Sequence, residues 1–424
     1  MSERPLTRNI RPGSLPPDLA AYRAGGGYEG ARRALQLSPK EVVELVTQSG
    51  LRGRGGAGFG TGQKWSFVPR PVAGRRTTLV ANADEMEPGT FKDRLLIEGD
   101  PHQLIEGMLI SAYAIGAAEA VIFIRGEYRL GIERLHRAIG EAEAAGLLGK
   151  DILGSGYDLA MHLHASAGRY ICGEETALLT ALEGRRATPR SKPPFPQIAG
   201  LWGAPSVVNN VETLCNIPHI LSRGPDWFRA LGIGADSGTK IYGASGRVKR
   251  PGLWELPIGT PLDELLEEHA GGMQDGYEAV AVLPGGASTA FLGAHQFAIP
   301  MDYPSVEKAG SRLGTGALIV LDQTSCPVGM LRNLEHFFAQ ESCGWCTPCR
   351  DGLPWVERIL EAIEDGEGED GDIEQLERHV GLLGPGRTYC AHAPGAMAPL
   401  ASGLKLFRAE FEKHLRDRRC GFRA

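Results

Sequence analysis

The chain has 424 residues, 42% of them hydrophobic and 23% charged, and a formal net charge of −6 at pH 7. This is a soluble globular composition with material for two to four domains, and its acidic balance leaves no electrostatic footprint for a nucleic-acid partner. Eight cysteines over this length are too dilute for a disulfide scaffold and point to a reducing compartment. No 18-residue apolar window spans a bilayer, and Met1-Ser-Glu-Arg-Pro lacks the core of a signal peptide, so a cytoplasmic-side protein is expected.

Residues 1–38, rich in Pro, Gly and Arg, read as an extended arm. Ser38 then offers an N-cap, Pro39 a first helical position and Glu41 an N3 acid, so a helix is expected as far as Gly50. It runs into residues 51–65, where six glycines fall within ten residues. Gly53, Gly55 and Gly58 satisfy G-x-G-x-x-G, but a helix precedes the loop instead of a strand, so the dinucleotide fingerprint fails on context. What survives is a run of bared N–H groups with Arg54 and Lys64 adding charge, which suits an anion. A flexible surface loop is the alternative; Phe59, Trp65 and Phe67 argue against it.

From Thr77 the pattern alternates. Strands are expected at 77–82, 120–124 and 157–164, and helices at 101–118, 128–145 and from near Gly173. Such alternation implies a parallel sheet with ligands beyond the carboxyl ends of its strands. Two of those ends carry polar constellations, Asn82-Ala-Asp-Glu-Met-Glu-Pro-Gly-Thr-Phe-Lys-Asp93 and Gly168-Arg-Tyr-Ile-Cys-Gly-Glu-Glu-Thr176. Glu174 and Glu175 also read as plain first-turn carboxylates, and Cys172 as a small buried hydrophobe. Residues 185–196, basic and proline-stiffened, read either as a loop closing over a diphosphate or as a solvated connection. Asn209-Asn-Val-Glu-Thr213 brings amides suited to a heterocycle.

Residues 237–330 read as a small α+β domain, with a strand from Lys240, a short helix at 261–269 and a strand at 279–283. From Leu331 the pattern is helical, interrupted by an acidic, Gly-rich turn at 364–371. Cys343, Cys346 and Cys349 stand at C-x2-C-x2-C spacing, three sulfurs round one turn. A 4Fe-4S cluster needs four thiolates, and Cys390, just past the helical hairpin, is the candidate fourth. A closed zinc site is the alternative, with His392 or His336 competing for the last position. Cys420 sits in a basic stretch, 413–423, that reads as a solvated helix end, or less simply as a subunit contact.

Taken in order, residues 52–65, 82–94, 170–176, 192–196, 209–213 and 342–349 resemble the NADH-binding flavoprotein subunits of respiratory complex I. The resemblance covers nearly the whole chain. It implies an α/β and α+β multidomain fold: an N-terminal arm, helix and flavin loop (1–75), a Rossmann-like parallel-sheet FMN/NADH domain (76–236), a β-grasp domain (237–330) and a helical 4Fe-4S domain (331–424). FMN would lie on Arg54, Gly55, Gly56, Ala57, Gly58, Phe59 and Lys64, with Asn82, Asp84 and Glu85 on one side. Tyr170, Gly173, Glu174, Asn209, Asn210 and Thr213 would complete that pocket. The NADH adenine would stack among Phe59, Phe67 and Phe195, with polar contacts from Glu87, Glu175 and Lys192.

The cluster would be held by Cys343, Cys346, Cys349 and Cys390. The implied activity is NADH oxidation, hydride passing to FMN with Glu87 and Glu175 positioning and no acid or base required. Single electrons would then pass through the cluster to a thioredoxin-like 2Fe-2S subunit, a cluster-rich subunit and quinone. The chain would lie peripherally on the inner face of the cell membrane, with no insertion of its own. Diaphorase subunits of NAD-linked hydrogenases and formate dehydrogenases share the core but usually carry an extra N-terminal cluster domain, and here the Gly-rich loop begins by residue 51. Two departures from the family pattern are Gly60 in place of the common proline and Thr388-Tyr-Cys-Ala-His-Ala393 around the fourth cysteine.

Overall fold

A computed structural model describes residues 3–69 and 76–422. Met1 and Ser2, the boundary expected at residue 75, and Arg423 of the basic tail lie outside the described residues. The chain divides into two compact units.

The first unit (Met1–Met86, Phe91–Ile241 and Glu255–Gly259) is built on four strands, β1 (Thr77–Ala83), β2 (Ala117–Ile124), β3 (Ala160–Ala165) and β4 (Ser206–Asn210). Their order is β3-β2-β1-β4 and every pairing is parallel. β1 is buried at six of its seven residues, as a parallel strand covered on both faces must be. The chain moves outward from β1 to β3 and then returns to the other side of β1 with β4. The order therefore reverses between β1 and β4, with Asn82 opposite Asn210, and such a reversal opens a crevice at the strand ends.

The helix expected at 101–118 stops at Ile115, because Gly116 takes a left-handed cap (φ 66°) and releases the chain into β2 three residues early. Residues 157–159 lie outside β3: Leu159 forms an isolated bridge with Gly149 instead.

The extended arm is not found. Leu19–Ala24 and Glu29–Leu35 are helices, and Leu6, Tyr22 and Tyr28 are buried. Glu106, on the buried Pro101–Ile115 helix, accepts from the Tyr22 hydroxyl (2.6 Å), Tyr28 N (2.8 Å) and Ala31 N (3.1 Å). A buried carboxylate with three donors fixes the segment in place. The capping box on Pro39–Gln48 is present as expected.

The second unit (Glu87–Thr90, Tyr242–Trp254 and Thr260–Ala424) carries a mixed sheet of β5 (Thr239–Ser245), β6 (Gly252–Pro257), β7 (Ala279–Leu283), β8 (Leu292–Gly293) and β9 (Ala317–Asp322), in the order β6-β5-β9-β7-β8. The division of the chain falls inside β5 and β6. β9 is parallel to β5 and antiparallel to β7. The short helix expected at 261–269 is Leu262–Glu264 continuing into a wider turn at Leu265–His269.

Helices then follow at Pro327–Glu341, Thr347–Asp365, Asp372–Leu383, His392–Leu406 and Arg408–Asp417. The acidic break is a turn between two of them. Gly366 there has φ 82°, and a Cβ would stand 2.1 Å from the Arg418 carbonyl, so glycine is required twice over. The solvated-tail reading of Cys420 is corrected: its side chain is buried, with 6% exposed.

Candidate cofactor sites

The glycine loop is stiff, not flexible. Arg52 and Gly60 form a bridge, Gly53 N donates to the Phe59 carbonyl (2.8 Å), Thr61 N to the Leu51 carbonyl (2.9 Å) and Arg52 Nε to the Gly58 carbonyl (2.6 Å). It is pinned to the residues after β4 by Arg54 N donating to Thr213 Oγ1 (2.8 Å). A Cβ on Gly55 would lie 2.9 Å from Asn210 Cβ, so only glycine permits this approach. Arg54 does not present its charge outward. Its guanidinium is fully buried and donates to the Ser237 carbonyl at 2.7 Å, while Nε and Nη1 meet no hydrogen-bond acceptor among the described residues.

Above the β1/β4 reversal lies a cavity of about 900 Å³, of a size suited to a cofactor. Gly55, Ala57, Gly58 and Phe59 line it from the loop, and Lys64 and Phe67 from the short helix after it. Asn82, Asn209, Asn210 and Thr213 face it from the strand ends and the helix after β4; Gly173, Glu175, Lys192 and Phe195 complete the wall. Phe59, Phe67 and Phe195 are about half exposed there, at 48%, 51% and 54%, leaving aromatic faces open to a flat ring. Gly173 also matters, since a Cβ on it would meet no protein atom within 4 Å and would project into open space. Gln63, Gln197, Ile198 and Val208 line the cavity too. Sequence reasoning missed them because Ile198 and Val208 read as ordinary core residues and Gln63 and Gln197 carry no charge or aromatic face to mark them.

The wall is held by its own hydrogen bonds. Asn82 Nδ2 donates to the Gly173 carbonyl (3.0 Å), and Trp65 Nε1 to Asn209 Oδ1 (2.9 Å). Asn210 donates to Asp93 Oδ2 (2.6 Å) and caps its helix by accepting from Glu212 N (3.0 Å). Both ends of that amide are thus engaged in the wall. Behind it runs a buried charge network absent from the sequence expectations. Lys92 Nζ meets Asp93 (2.7 Å) and Glu212 (2.8 Å), and Lys240 Nζ also meets Glu212 (3.0 Å). Burial drives the Glu212 carboxyl up, but Lys240, Lys92 and Arg54 outweigh it and hold the group at about 2. Lys240, buried beside other cations, falls to about 8 despite Glu212.

Glu175 sits between two lysines, with Lys64 Nζ 2.7 Å and Lys192 Nζ 2.8 Å away. Burial alone would raise it; the two ammonium groups outweigh burial and keep it below the ordinary carboxylate range. Glu174 accepts from Thr176 N and Ala177 N (both 2.9 Å) as the N-cap of Glu175–Leu182, and pairs with Lys192.

Several expected residues are not among those lining the cavity: besides Arg54 and Glu174, these are Gly56, Asp84, Glu85, Glu87 and Tyr170. Asp84 accepts from Ser166 Oγ (2.6 Å). Glu85 accepts from Asp93 N (2.8 Å), Arg94 N (3.1 Å) and the Tyr128 hydroxyl (3.0 Å). Burial, then Asp93, pushes Glu85 up to about 7. Tyr170 opens the short turn that ends at Gly173. Glu87 belongs to the second unit, where it accepts from Ser288 N at 2.6 Å.

The second unit gathers the four cysteines. Cys346 caps Thr347–Asp365, and Cys349 lies in that helix's first turn. The Cys349 thiol is pushed up to about 12, first by burial, against a hydrogen bond from Ser342, and further by Cys346, Cys390 and Cys343. Trp345 and Tyr389, the neighbours of Cys346 and Cys390, have ring centroids 6.2 Å apart, so the two cysteine-bearing stretches approach each other, and four cysteines match the donor set of a 4Fe-4S cluster. Of the rival imidazoles, His336 has both ring nitrogens engaged, with Glu357 (2.5 Å) and Gln340 (2.7 Å). His392 Nε2 lies 2.8 Å from the Phe338 carbonyl, to which it donates.

The chain is similar to several known proteins. Residues 46–219 match the Nuo51 FMN-binding domain, residues 329–414 the NADH-ubiquinone oxidoreductase-F iron-sulfur binding region, and residues 243–292 the SLBB domain. The chain is 57% identical to the F subunit of NADH-quinone oxidoreductase in Escherichia coli strain K12, over 97% of its own length and 93% of the relative's. It is 53% identical to the F 2 subunit of the Rhizobium meliloti enzyme, over the full length of both. Among solved structures, an NAD+-reducing NiFe hydrogenase in its H2-reduced state superposes with a TM-score of 0.83 at 35% identity, covering 92% of this chain and 65% of that one.

Proposed function

We propose, for a chain that belongs to the family of NADH-quinone oxidoreductase F subunits, that the cavity at the β1/β4 reversal holds FMN and admits NADH beside it. The chain is the NADH-oxidising electron-input subunit of a multi-subunit NADH-quinone oxidoreductase, with an FMN-binding domain and a 4Fe-4S region. The observation that carries the site reading is one cavity combining a stiff glycine loop, three half-open phenylalanines and the vacant side of Gly173.

Bound there, FMN supplies the conversion of a two-electron hydride donor into single electrons, which no side chain provides. The protein's own part is placement. Residues 55–59 offer backbone N–H groups, Lys64 and Lys192 supply positive charge, and Phe59, Phe67 and Phe195 offer stacking faces that exclude water. Glu175, kept ionised by its two lysines, opposes excessive attraction of anionic nucleotides and so favours release of the oxidised product. The cluster is assigned to Cys343, Cys346, Cys349 and Cys390.

The domain reading follows the same lines: Rossmann-like for 76–236, β-grasp for 237–330 and a helical cluster domain for 331–424. The parallel sheet with its order reversal supports the first, and the SLBB match the second. Onward transfer is assigned to a thioredoxin-like 2Fe-2S subunit and a cluster-rich subunit, with the assembly on the inner face of the membrane. No described helix is long and apolar enough to cross a bilayer. The hydrogenase likeness favours a diaphorase role as the second reading, but the chain spans only 65% of that protein against 89% to 100% of its F-subunit relatives.

Gly173→Val tests the site. The side chain would enter cavity space without striking protein, so the variant is expected to fold with a full iron content while losing FMN and NADH–ferricyanide activity. Full flavin occupancy with unchanged activity would place the cofactor elsewhere.

A further inference from the structure

Cys326, His414 and Cys420 are used by nothing described so far. Their ligand atoms, two Sγ and one imidazole nitrogen, all lie within 4.8 Å of one another. We propose that Cys326 Sγ, His414 Nε2 and Cys420 Sγ form a second metal site in this chain, one that takes zinc and is separate from the cluster cysteines.

Three observations converge on it. The first is distance. Cys326 Sγ and His414 Nε2 are 3.3 Å apart, close to the edge of roughly 3.5 Å that tetrahedral Zn–S and Zn–N bonds of about 2.3 and 2.1 Å would span. The second is the imidazole's orientation. His414 Nδ1 lies 2.7 Å from the Glu410 carbonyl, and a carbonyl only accepts. Nδ1 therefore carries the hydrogen and Nε2 keeps its lone pair, aimed at the Cys326 sulfur. A carbonyl holding the far nitrogen is the usual outer support of a metal-bound histidine.

The third is burial. His414 is 1% exposed and Cys420 6%, although both belong to a basic C-terminal stretch whose other residues are largely exposed. Arg418, in a left-handed conformation (φ 50°), turns the chain after the Arg408–Asp417 helix. Cys326 is fixed separately, as the N-cap of Pro327–Glu341, with Gly329 N–H donating to its sulfur at 3.3 Å.

Two sulfurs and an imidazole select zinc over magnesium or calcium, whose ligands are oxygens. Three protein ligands leave one coordination position for water. Binding one Zn2+ releases two thiol protons to solvent and leaves a centre of two thiolates, one neutral imidazole and no net charge. Cys326 precedes and Cys420 follows all four cluster cysteines in the chain, so the metal would tie the start of the helical region to its end.

The test is metal analysis of the full chain purified without chelators, with Cys326→Ser, Cys420→Ser and Cys420→Ala beside it. The wild type should carry one zinc per chain in addition to cluster iron. Each variant should lose that zinc while keeping its iron and its NADH–ferricyanide activity. Cobalt loaded in place of zinc should give thiolate-to-cobalt charge-transfer absorption in the wild type alone. The near-isosteric serine variants guard against a packing defect in the alanine one. A wild type that takes up no zinc at micromolar concentration overturns the proposal, as does zinc retained by all three variants. A Cys326–Cys420 disulfide, mapped after anaerobic alkylation, overturns it too.

Discussion

Lys64 is the cation on which the cavity's charge balance turns. Its ammonium is shared between Glu175 Oε2 at 2.7 Å and the Val208 carbonyl at 2.9 Å, and it faces the same space as the glycine loop. A phosphate entering that space gains a charge-assisted hydrogen bond, worth about 1.5–3 kcal/mol. Lys64→Ala is therefore expected to weaken FMN binding roughly 10- to 100-fold, read by fluorescence titration of the flavin-free protein. Full retention of FMN through dialysis at high salt would remove Lys64 from the site. Lys64 was legible in the sequence because it follows six glycines. Arg54 was equally prominent there, but its guanidinium is buried against Ser237. A residue's letter and loop position cannot say on which side of the backbone its charge falls. The lysine network behind Asn210 was illegible for a related reason: Lys92 and Lys240 break the rule that lysine stays at the surface, and Glu212, which makes that possible, is distant in sequence.

Among elements, those written in local pattern came through best. β1, the Pro39–Gln48 helix and the paired helices around the acidic turn follow from apolar periodicity, a capping box and glycine punctuation. Those that depend on distant partners did not. The N-terminal segment is held by donors to Glu106, Glu255 and Glu141, all distant in sequence, and Cys420 is buried close to Cys326 and His414, which local pattern does not reveal. The segment joining β1 to the Lys92–Gly99 helix depends on Glu85 in the same way and gives a pH test. Its folded pKa is raised to about 7 from 4.5, by burial first. Below about pH 4.5 the carboxyl is protonated in both states. Between there and pH 7 the folded chain keeps a proton that the unfolded chain releases, so stability falls as pH rises. The loss is on the order of 3 kcal/mol at most. Glu85→Gln in flavin-free protein should flatten this part of the profile, its urea midpoint gaining on the wild type between pH 5 and pH 8. Parallel profiles for the two proteins would show that Glu85 does not carry that proton.

At the scale of the whole molecule the question is how electrons leave. The cavity proposed for flavin is lined by residues of the first unit and the cysteines proposed for the cluster belong to the second, so on this reading input and exit are separable by mutation. Cys390 is the informative position. Three of the four sulfurs come from one stretch of chain, 343–349, whereas Cys390 arrives just before His392–Leu406, and its loss should abolish the cluster without touching the cavity. In the assembled complex Cys390→Ser is expected to lose the 4Fe-4S EPR signal and quinone reduction. NADH–ferricyanide activity should persist, because ferricyanide is small and soluble and takes electrons at the flavin. The wild-type chain alone should behave similarly towards acceptors, reducing ferricyanide but no membrane quinone until its partner subunits are restored. Trp345 and Tyr389, each next to a cluster cysteine, are 58% and 42% exposed with ring centroids 6.2 Å apart, an aromatic surface of the kind that partners cover. Rapid quinone reduction by a complex carrying Cys390→Ser would mean that electrons bypass the four cysteines, and rapid quinone reduction by the isolated wild-type chain would mean that their exit needs no partner subunit.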